Sequence, residues 1–409
     1  MPAGTDRKGN AMDGMVIIGA GECGTRAAFA LREAGWAGPV TLIGAEPGLP
    51  YERPPLSKPG EAGVCRKPIC DAAVLAGAGI DYRPGTVVQG IDPAARRVML
   101  AGGSLGYDRL LLATGARPRR LSCPGADLAR DFRSHADAEA VFAAARGPVA
   151  IIGAGLIGME LAAVLRGMGL PVTVIEAGPA PLARAVPPRF AAALYQRHLA
   201  EGVCFRLGET VAGIDADGVL LASGGRVPAG LVVSAIGVAP DIALARAAGL
   251  ATGDGILTDG RLVTSDPHIL AAGDCAAVAL PGGGHLRQES WRNARSQAEA
   301  AARTMLGQGQ AFAGLPWFWS DQYDLGLQVA GLPRPDHATI LRRQGDAEIA
   351  FSLDGGRLVA AAGLGPGASI ARDIKLAEML IAAGLSPDPD ALADPAVALK
   401  SLLKTARAA

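Results

Sequence analysis

The patterned part of the chain opens with four apolar residues, Met15-Val16-Ile17-Ile18, with glycine on either side. Val40-Thr41-Leu42-Ile43, Leu110-Leu111-Leu112-Ala113, Val149-Ala150-Ile151-Ile152 and Leu231-Val232-Val233 repeat the form. Runs this short and continuous predict strands buried on both faces, as in a parallel sheet. Stretches of helical period separate them, ending near Leu31 and covering 159–168 and 187–201. Weaker strand-like pieces fall at 80–83, 87–91 and 96–100, with Gly and Pro between them. Beyond residue 315 strand patterns at 349–353 and 357–361 lead into Ala- and Leu-rich helices. Alternating strands and helices predict an α/β fold, and the last part an α+β domain.

Two of the strand–helix–strand stretches carry a further signature. Gly19-Ala20-Gly21-Glu22-Cys23-Gly24 follows the first strand, and Glu46 lies just past the second. Strand, G-x-G-x-x-G, helix, strand and acidic residue together form the dinucleotide-binding fingerprint. Gly19 permits the tight turn, Gly21 the approach of a pyrophosphate, and Gly24 the packing of helix on strand. Free N–H groups at the helix start receive the phosphates, and Glu46 bonds a ribose. The signature returns as Gly153-Ala154-Gly155-Leu156-Ile157-Gly158, with Glu176 ending the next strand. Two Rossmann-type units predict two bound dinucleotides. Glu176 would bond a ribose 2′-hydroxyl and repel a 2′-phosphate, which favours NADH over NADPH. Arg184, within reach of the same cofactor, tempers that preference.

Composition narrows the classes. At 409 residues the chain predicts two or three domains. Lys+Arg and Asp+Glu both total 39, so bulk charge points to neither nucleic acid nor a membrane surface. No apolar run reaches the roughly 18 residues of a transmembrane helix. Residues 1–14 are polar and Gly-rich without an apolar core, which predicts a disordered leader and a cytoplasmic protein. Six scattered cysteines show no metal-ligand spacing, so no metal is expected. Cys65-x4-Cys70 has the spacing of a redox pair but flanks the loop-like Arg66-Lys67-Pro68, which favours two free thiols.

Leu49-Pro50-Tyr51-Glu52-Arg53-Pro54-Pro55-Leu56-Ser57-Lys58 is more specific. It resembles the segment after the second strand in FAD-dependent NADH:ferredoxin reductases of the putidaredoxin reductase and biphenyl-dioxygenase reductase-component family. Further motifs resemble that family in the same order. They are the turn Thr114-Gly115, the exit strand through Gly237, Gly273-Asp274-Cys275-Ala276, the segment around Trp291, and Trp317-Phe318-Trp319. The resemblance implies a glutathione-reductase-like fold, with a discontinuous FAD domain (15–118 and 240–316), an inserted NAD domain (119–239) and a C-terminal domain (317–409). It implies FAD contacts from Arg53, Pro54, Lys58, Thr114, Gly115, Asp274 and Trp291, with Gly273-Asp274 leading into a helix. NAD contact falls to Gly237.

For the chemistry, the resemblance implies that Glu160 pairs with Lys58 beside the flavin and that Trp319 lies near the electron-acceptor face. An isolated Asp274 would read as a helix cap, and Glu160 as a carboxylate suited to a helix start. The activity implied is hydride uptake from NADH and single-electron delivery to a [2Fe-2S] ferredoxin of a bacterial oxygenase. The docking candidates are Arg287, Arg292, Arg295, Arg342 and Arg343. A disulfide or peroxide reductase using Cys65 and Cys70 stands as an alternative, as does an NADH-switched, partner-binding flavoprotein.

Overall fold

The computed structural model describes residues 14–60, 63–184 and 186–405. The expected leader therefore lies outside the described residues, Gly14 apart. The chain divides into two compact units. One holds the residues up to Glu52, Lys67–Arg117 and Pro240–Gly314; the other holds Arg53–Arg66, Pro118–Ala239 and the chain from Leu315.

The first unit is built on a five-stranded parallel sheet in the order Ile269–Ala271, Arg109–Leu112, Met15–Ile18, Val40–Ile43, Ile80–Arg83. Met15–Ile18 sits at the centre, paired on one side with Val40–Ile43 and on the other with Arg109–Leu112. The strand order reverses there, and in open α/β sheets such a crevice receives ligands. The apolar run is buried throughout because both sheet faces are covered. Helices Glu22–Glu33 and Trp291–Met305 share one core, where Ala27, Ala28, Ala298, Ala301 and Ala302 are buried. Side chains this small let two helix backbones approach closely. Arg26 joins the pair, its Nε donating to Glu299 at 3.0 Å.

The expected helix after Gly273-Asp274 is absent. Gly273–Cys275 is a single 3-10 turn and Ala276–Ala279 is a strand, paired in parallel with Gly255–Thr258. Asp274 thus lies within the turn and caps no helix. The strand expected at 87–91 runs Val88–Asp92, in an antiparallel meander with Arg97–Leu100 and Gly103–Gly106.

The second unit repeats the parallel design: Cys204–Leu207, Val172–Glu176, Val149–Ile152, Leu231–Ser234, Arg130–Asp131. Val149–Ile152 is again the strand at the reversal. The same unit holds an antiparallel sheet ordered Trp317–Gln322, Leu325–Gly331, Arg357–Pro366, Ala347–Asp354, Ala338–Gln344. Helix Ala371–Ala382 adds Ile374, Ala377 and Leu380 to a core with Phe351 and Ala361. No helix among the described residues is long and apolar enough to cross a membrane.

Candidate functional site

In the first unit the three loop glycines answer to three different demands. Gly19 takes φ +109°, and a Cβ there would stand 2.1 Å from the Ala113 carbonyl oxygen. A Cβ on Gly24 would stand 1.8 Å from the Gly19 oxygen. Both glycines are required by the fold itself. Gly21 is different: its backbone is extended, and a Cβ would meet nothing within 4 Å. Nothing in the chain requires glycine there, whereas a pyrophosphate approaching the loop would. Gly21 is also the N-cap of helix Glu22–Glu33 and offers no side-chain cap, so the first-turn N–H groups are left for an anion. The cradle fits a dinucleotide.

Other candidates gather in the same unit. Glu46 accepts a hydrogen bond from the Tyr51 hydroxyl at 2.5 Å. Thr114 donates its hydroxyl to the Asp241 carbonyl at 2.6 Å, and the Asp241 N–H donates to Gly115 at 2.9 Å. The Gly273 N–H donates to the buried amide of Gln297 at 2.8 Å. Trp291 begins the second core helix, capped by Ser290, whose hydroxyl accepts from the Asn293 N–H at 3.2 Å. Burial pushes the Glu22 carboxyl above its usual range, while Arg295 and a hydrogen bond with Trp291 oppose that shift.

The second unit reproduces the glycine geometry. Gly153 takes φ +103° with Ala235 O 2.5 Å from a built Cβ; Gly158 would meet Gly153 O at 2.1 Å; Gly155 would meet nothing within 4 Å. Glu176 is fixed at the rim of this loop, one carboxylate oxygen accepting from the Ala154 N–H at 2.7 Å and the other from Gly178 at 2.8 Å. Arg184 reaches Gly237, where a Cβ would lie 3.7 Å from its Nη2. This cradle, too, fits a dinucleotide.

Lys58, Glu160 and Trp319 also fall in the second unit, with Arg53 and Pro54. The Arg53 guanidinium donates to the Arg133 carbonyl at 2.6 Å, and Pro54 opens the 3-10 turn Pro54–Ser57. Lys58 follows that turn, and its ammonium pairs with Asp321 rather than with Glu160. Glu160 is held instead by two hydroxyls, Ser57 at 2.6 Å and Ser320 at 2.7 Å. Burial pushes the Glu160 carboxyl above its usual range; Ser57, Ser320 and the Lys58 charge pull it back, and Asp321 opposes them. The Lys58 ammonium lies 6.0 Å from the Trp319 ring centroid, and Trp319 stacks at a tilt on Trp317, centroids 5.5 Å apart. Sequence reasoning missed Ser57, Ser320 and Asp321. Ser57 adjoins Lys58, Ser320 adjoins Trp319, and Asp321 lies two residues beyond Trp319.

Of the five arginines proposed for docking, two are withdrawn. Arg342 is buried, with a side-chain exposure of 3%, and donates to the carbonyls of Leu392, Asp394, Pro395 and Val397. Arg287 is 8% exposed and pairs with Asp254 and Glu289. All six cysteines are free. Burial and the Asp71 charge push the Cys70 thiol upward, against thiolate chemistry.

Comparison with known proteins identifies the family. The pyridine nucleotide-disulphide oxidoreductase model matches residues 13–298, and the reductase C-terminal model matches 317–403. The ferredoxin–NAD(+) reductase component of the anthranilate 1,2-dioxygenase system of Burkholderia cepacia is 42% identical over 409 residues, covering 96% of this chain and 99% of the relative. The crystal structure of the ferredoxin reductase for the CYP199A2 system from Rhodopseudomonas palustris superposes with a TM-score of 0.90 at 34% identity, covering 95% of this chain and 99% of that one. The covalent putidaredoxin reductase–putidaredoxin complex gives 0.89 at 33%, covering 98% and 100%. Two glycine cradles and a matching C-terminal region place this chain in the pyridine nucleotide-disulphide oxidoreductase family, among the ferredoxin–NAD(+) reductase type of flavoprotein.

Proposed function

We propose that this protein oxidises NADH on a bound FAD and passes the electrons singly to a [2Fe-2S] ferredoxin that feeds a bacterial oxygenase. The duplicated cradle carries the reading: Gly21 and Gly155 are glycines that the chain itself does not require. FAD would be held through Gly19, Gly21, Gly24, Glu46, Thr114, Gly115, Gly273, Asp274 and Trp291; Arg53, Pro54 and Lys58 are proposed as further FAD contacts. NADH would be held through Gly153, Gly155, Gly158, Glu176, Arg184 and Gly237. When bound, FAD supplies the two-electron to one-electron conversion; the chain supplies orientation and charge. The Lys58 ammonium, paired with Asp321, would serve the anionic reduced cofactor. Glu160 keeps its carboxylate withdrawn from water and bonded by hydroxyls, with Lys58 near enough to favour its charge. Glu176, immobilised by two N–H donors, presents a carboxylate where a ribose diol binds and a 2′-phosphate would be repelled. Trp319 lines the route to the ferredoxin.

The test is an anaerobic NADH titration of the purified holoprotein. Bleaching of the flavin complete at about two electrons per FAD is expected. Uptake of about four electrons with a long-wavelength thiolate–flavin band would instead assign the chemistry to Cys65 and Cys70.

A further inference from the structure

We infer that His198, Gln322 and Ser320 form an oriented hydrogen-bond chain that holds Glu160 as a carboxylate, with His198 and Gln322 as positioning residues for the reductive step. The inference rests on the proposed place of Glu160 at the nucleotide site. It joins three elements of the second unit: helix Pro188–Ala200, strand Trp317–Gln322 and helix Leu156–Gly167.

The direction of each bond follows from donor and acceptor chemistry. The Gln322 carbonyl Oε1 only accepts, so His198 Nε2, at 2.9 Å, carries a proton and donates it. Burial pushes the His198 pKa below the usual histidine value, which leaves the ring neutral. Nδ1 therefore has a lone pair, and the Tyr323 hydroxyl donates to it at 3.2 Å. The Gln322 amide nitrogen donates to Ser320 Oγ at 3.1 Å. Ser320 has a single hydroxyl proton; with its oxygen accepting from the amide, that proton goes to Glu160 Oε1 at 2.7 Å. Every donor from Tyr323 inward points toward Glu160. Ser57 serves the other carboxylate oxygen, Oε2.

This arrangement is expensive to build by accident. His198, Gln322 and Ser320 are at most 1% exposed, and burying an imidazole, an amide and a hydroxyl costs stability unless all are satisfied. Tyr323 takes φ +56°, a left-handed conformation that a bulky residue rarely adopts. The turn holds its hydroxyl at His198, and the Arg197 guanidinium lies over its ring at 4.9 Å. The charges near His198 are Arg197, which opposes protonation, and Glu201, which favours it. Those near Glu160 are Lys58, which favours the carboxylate, and Asp321, which opposes it.

Gln322→Glu is the sharpest probe because it keeps the side-chain shape and reverses its polarity. The new carboxylate takes the Ser320 proton and turns that hydroxyl away from Glu160. Ser320→Ala removes the hydroxyl, Gln322→Leu releases it, and His198→Phe frees the Gln322 amide to turn. Infrared difference spectra against pH read the ionisation of Glu160 in the holoprotein, its band assigned by its loss in Glu160→Gln. The same variants are followed by the pH profile of flavin reduction by NADH. Gln322→Glu is expected to raise the Glu160 midpoint by about one pH unit, roughly tenfold less carboxylate below both midpoints. The acid limb of flavin reduction should move with it. Ser320→Ala, Gln322→Leu and His198→Phe should shift both the same way by less. An infrared midpoint unchanged in Gln322→Glu and Ser320→Ala overturns the chain, while the nucleotide-site reading stands. A Glu160→Gln protein that reduces its flavin at the wild-type rate at every pH removes Glu160 from the site and the positioning role with it; the infrared shifts tell the two failures apart.

Discussion

At the scale of single residues, the two glycine loops separate what folding requires from what binding requires. Gly24 and Gly158 let a helix rest on the preceding loop, their missing Cβ atoms sparing contacts of 1.8 and 2.1 Å with backbone oxygens. Gly21 and Gly155 spare nothing in the chain. Alanine at Gly24 must therefore displace the helix, a strain of about 1–3 kcal/mol or more. Gly24→Ala is expected to lower the melting temperature of the flavin-free protein. Gly21→Ala should melt within about 1 kcal/mol of wild type. It should nevertheless retain flavin about tenfold less tightly, since the methyl would stand where the pyrophosphate is proposed to come in. Melting curves of the stripped proteins, set beside their flavin content, make the comparison. Equal melting with equal flavin retention in both variants would deny the loop its assigned role.

At the scale of elements, legibility followed the reach of the interactions. The loops were legible because the positive φ of Gly19 and Gly153 and the contacts of Gly24 and Gly158 with the preceding loop are local, although Gly19 and Gly153 also face the distant Ala113 and Ala235 carbonyls. The partners of Glu160 were not. Ser57 lies 103 residues away and Ser320 160, and Gln322 meets His198 across 124; no periodicity encodes such distances. The error after Gly273-Asp274 has the same origin. Ala276–Ala279 is a strand because Gly255–Thr258 offers it a parallel edge, which its own four residues do not disclose. Arg342 looked like a surface charge on a strand, yet it ties the end of the chain to the antiparallel sheet. Its bonds to Asp394 at 2.8 Å and Val397 at 2.7 Å are charge-assisted. Arg342→Met should cost about 3 kcal/mol and raise hydrogen exchange in Pro389–Ala393 and Leu399–Thr405. Flavin reduction by NADH should be unaffected. Unchanged exchange in those two helices would show that the guanidinium does not hold them.

For the whole molecule, the equal charge totals of 39 and 39 mean that no overall field draws an acidic partner in. Steering must come from local charge, and removing Arg287 and Arg342 shortens the list to Arg292, Arg295 and Arg343. Arg343 is committed to Glu348, which it shares with Arg189. Arg295 is the less committed: its side chain is 48% exposed, its contact with Glu299 is 3.9 Å long, and Glu22 is the other carboxylate that feels its charge. Exposed charges of this kind alter encounter more than intrinsic stability. Arg295→Gln is therefore expected to raise the KM for an acidic [2Fe-2S] ferredoxin by roughly threefold at about 0.05 M salt. Turnover with a small artificial acceptor should not change. At about 1 M salt, where the screening length falls to about 3 Å, the variant and the wild type should converge. Convergence is the decisive feature, because a loss of shape or of cofactor would persist at every ionic strength. A KM increase that salt leaves intact would move the contribution of Arg295 from steering to its contact with the Trp291 ring, 5.7 Å from the guanidinium carbon.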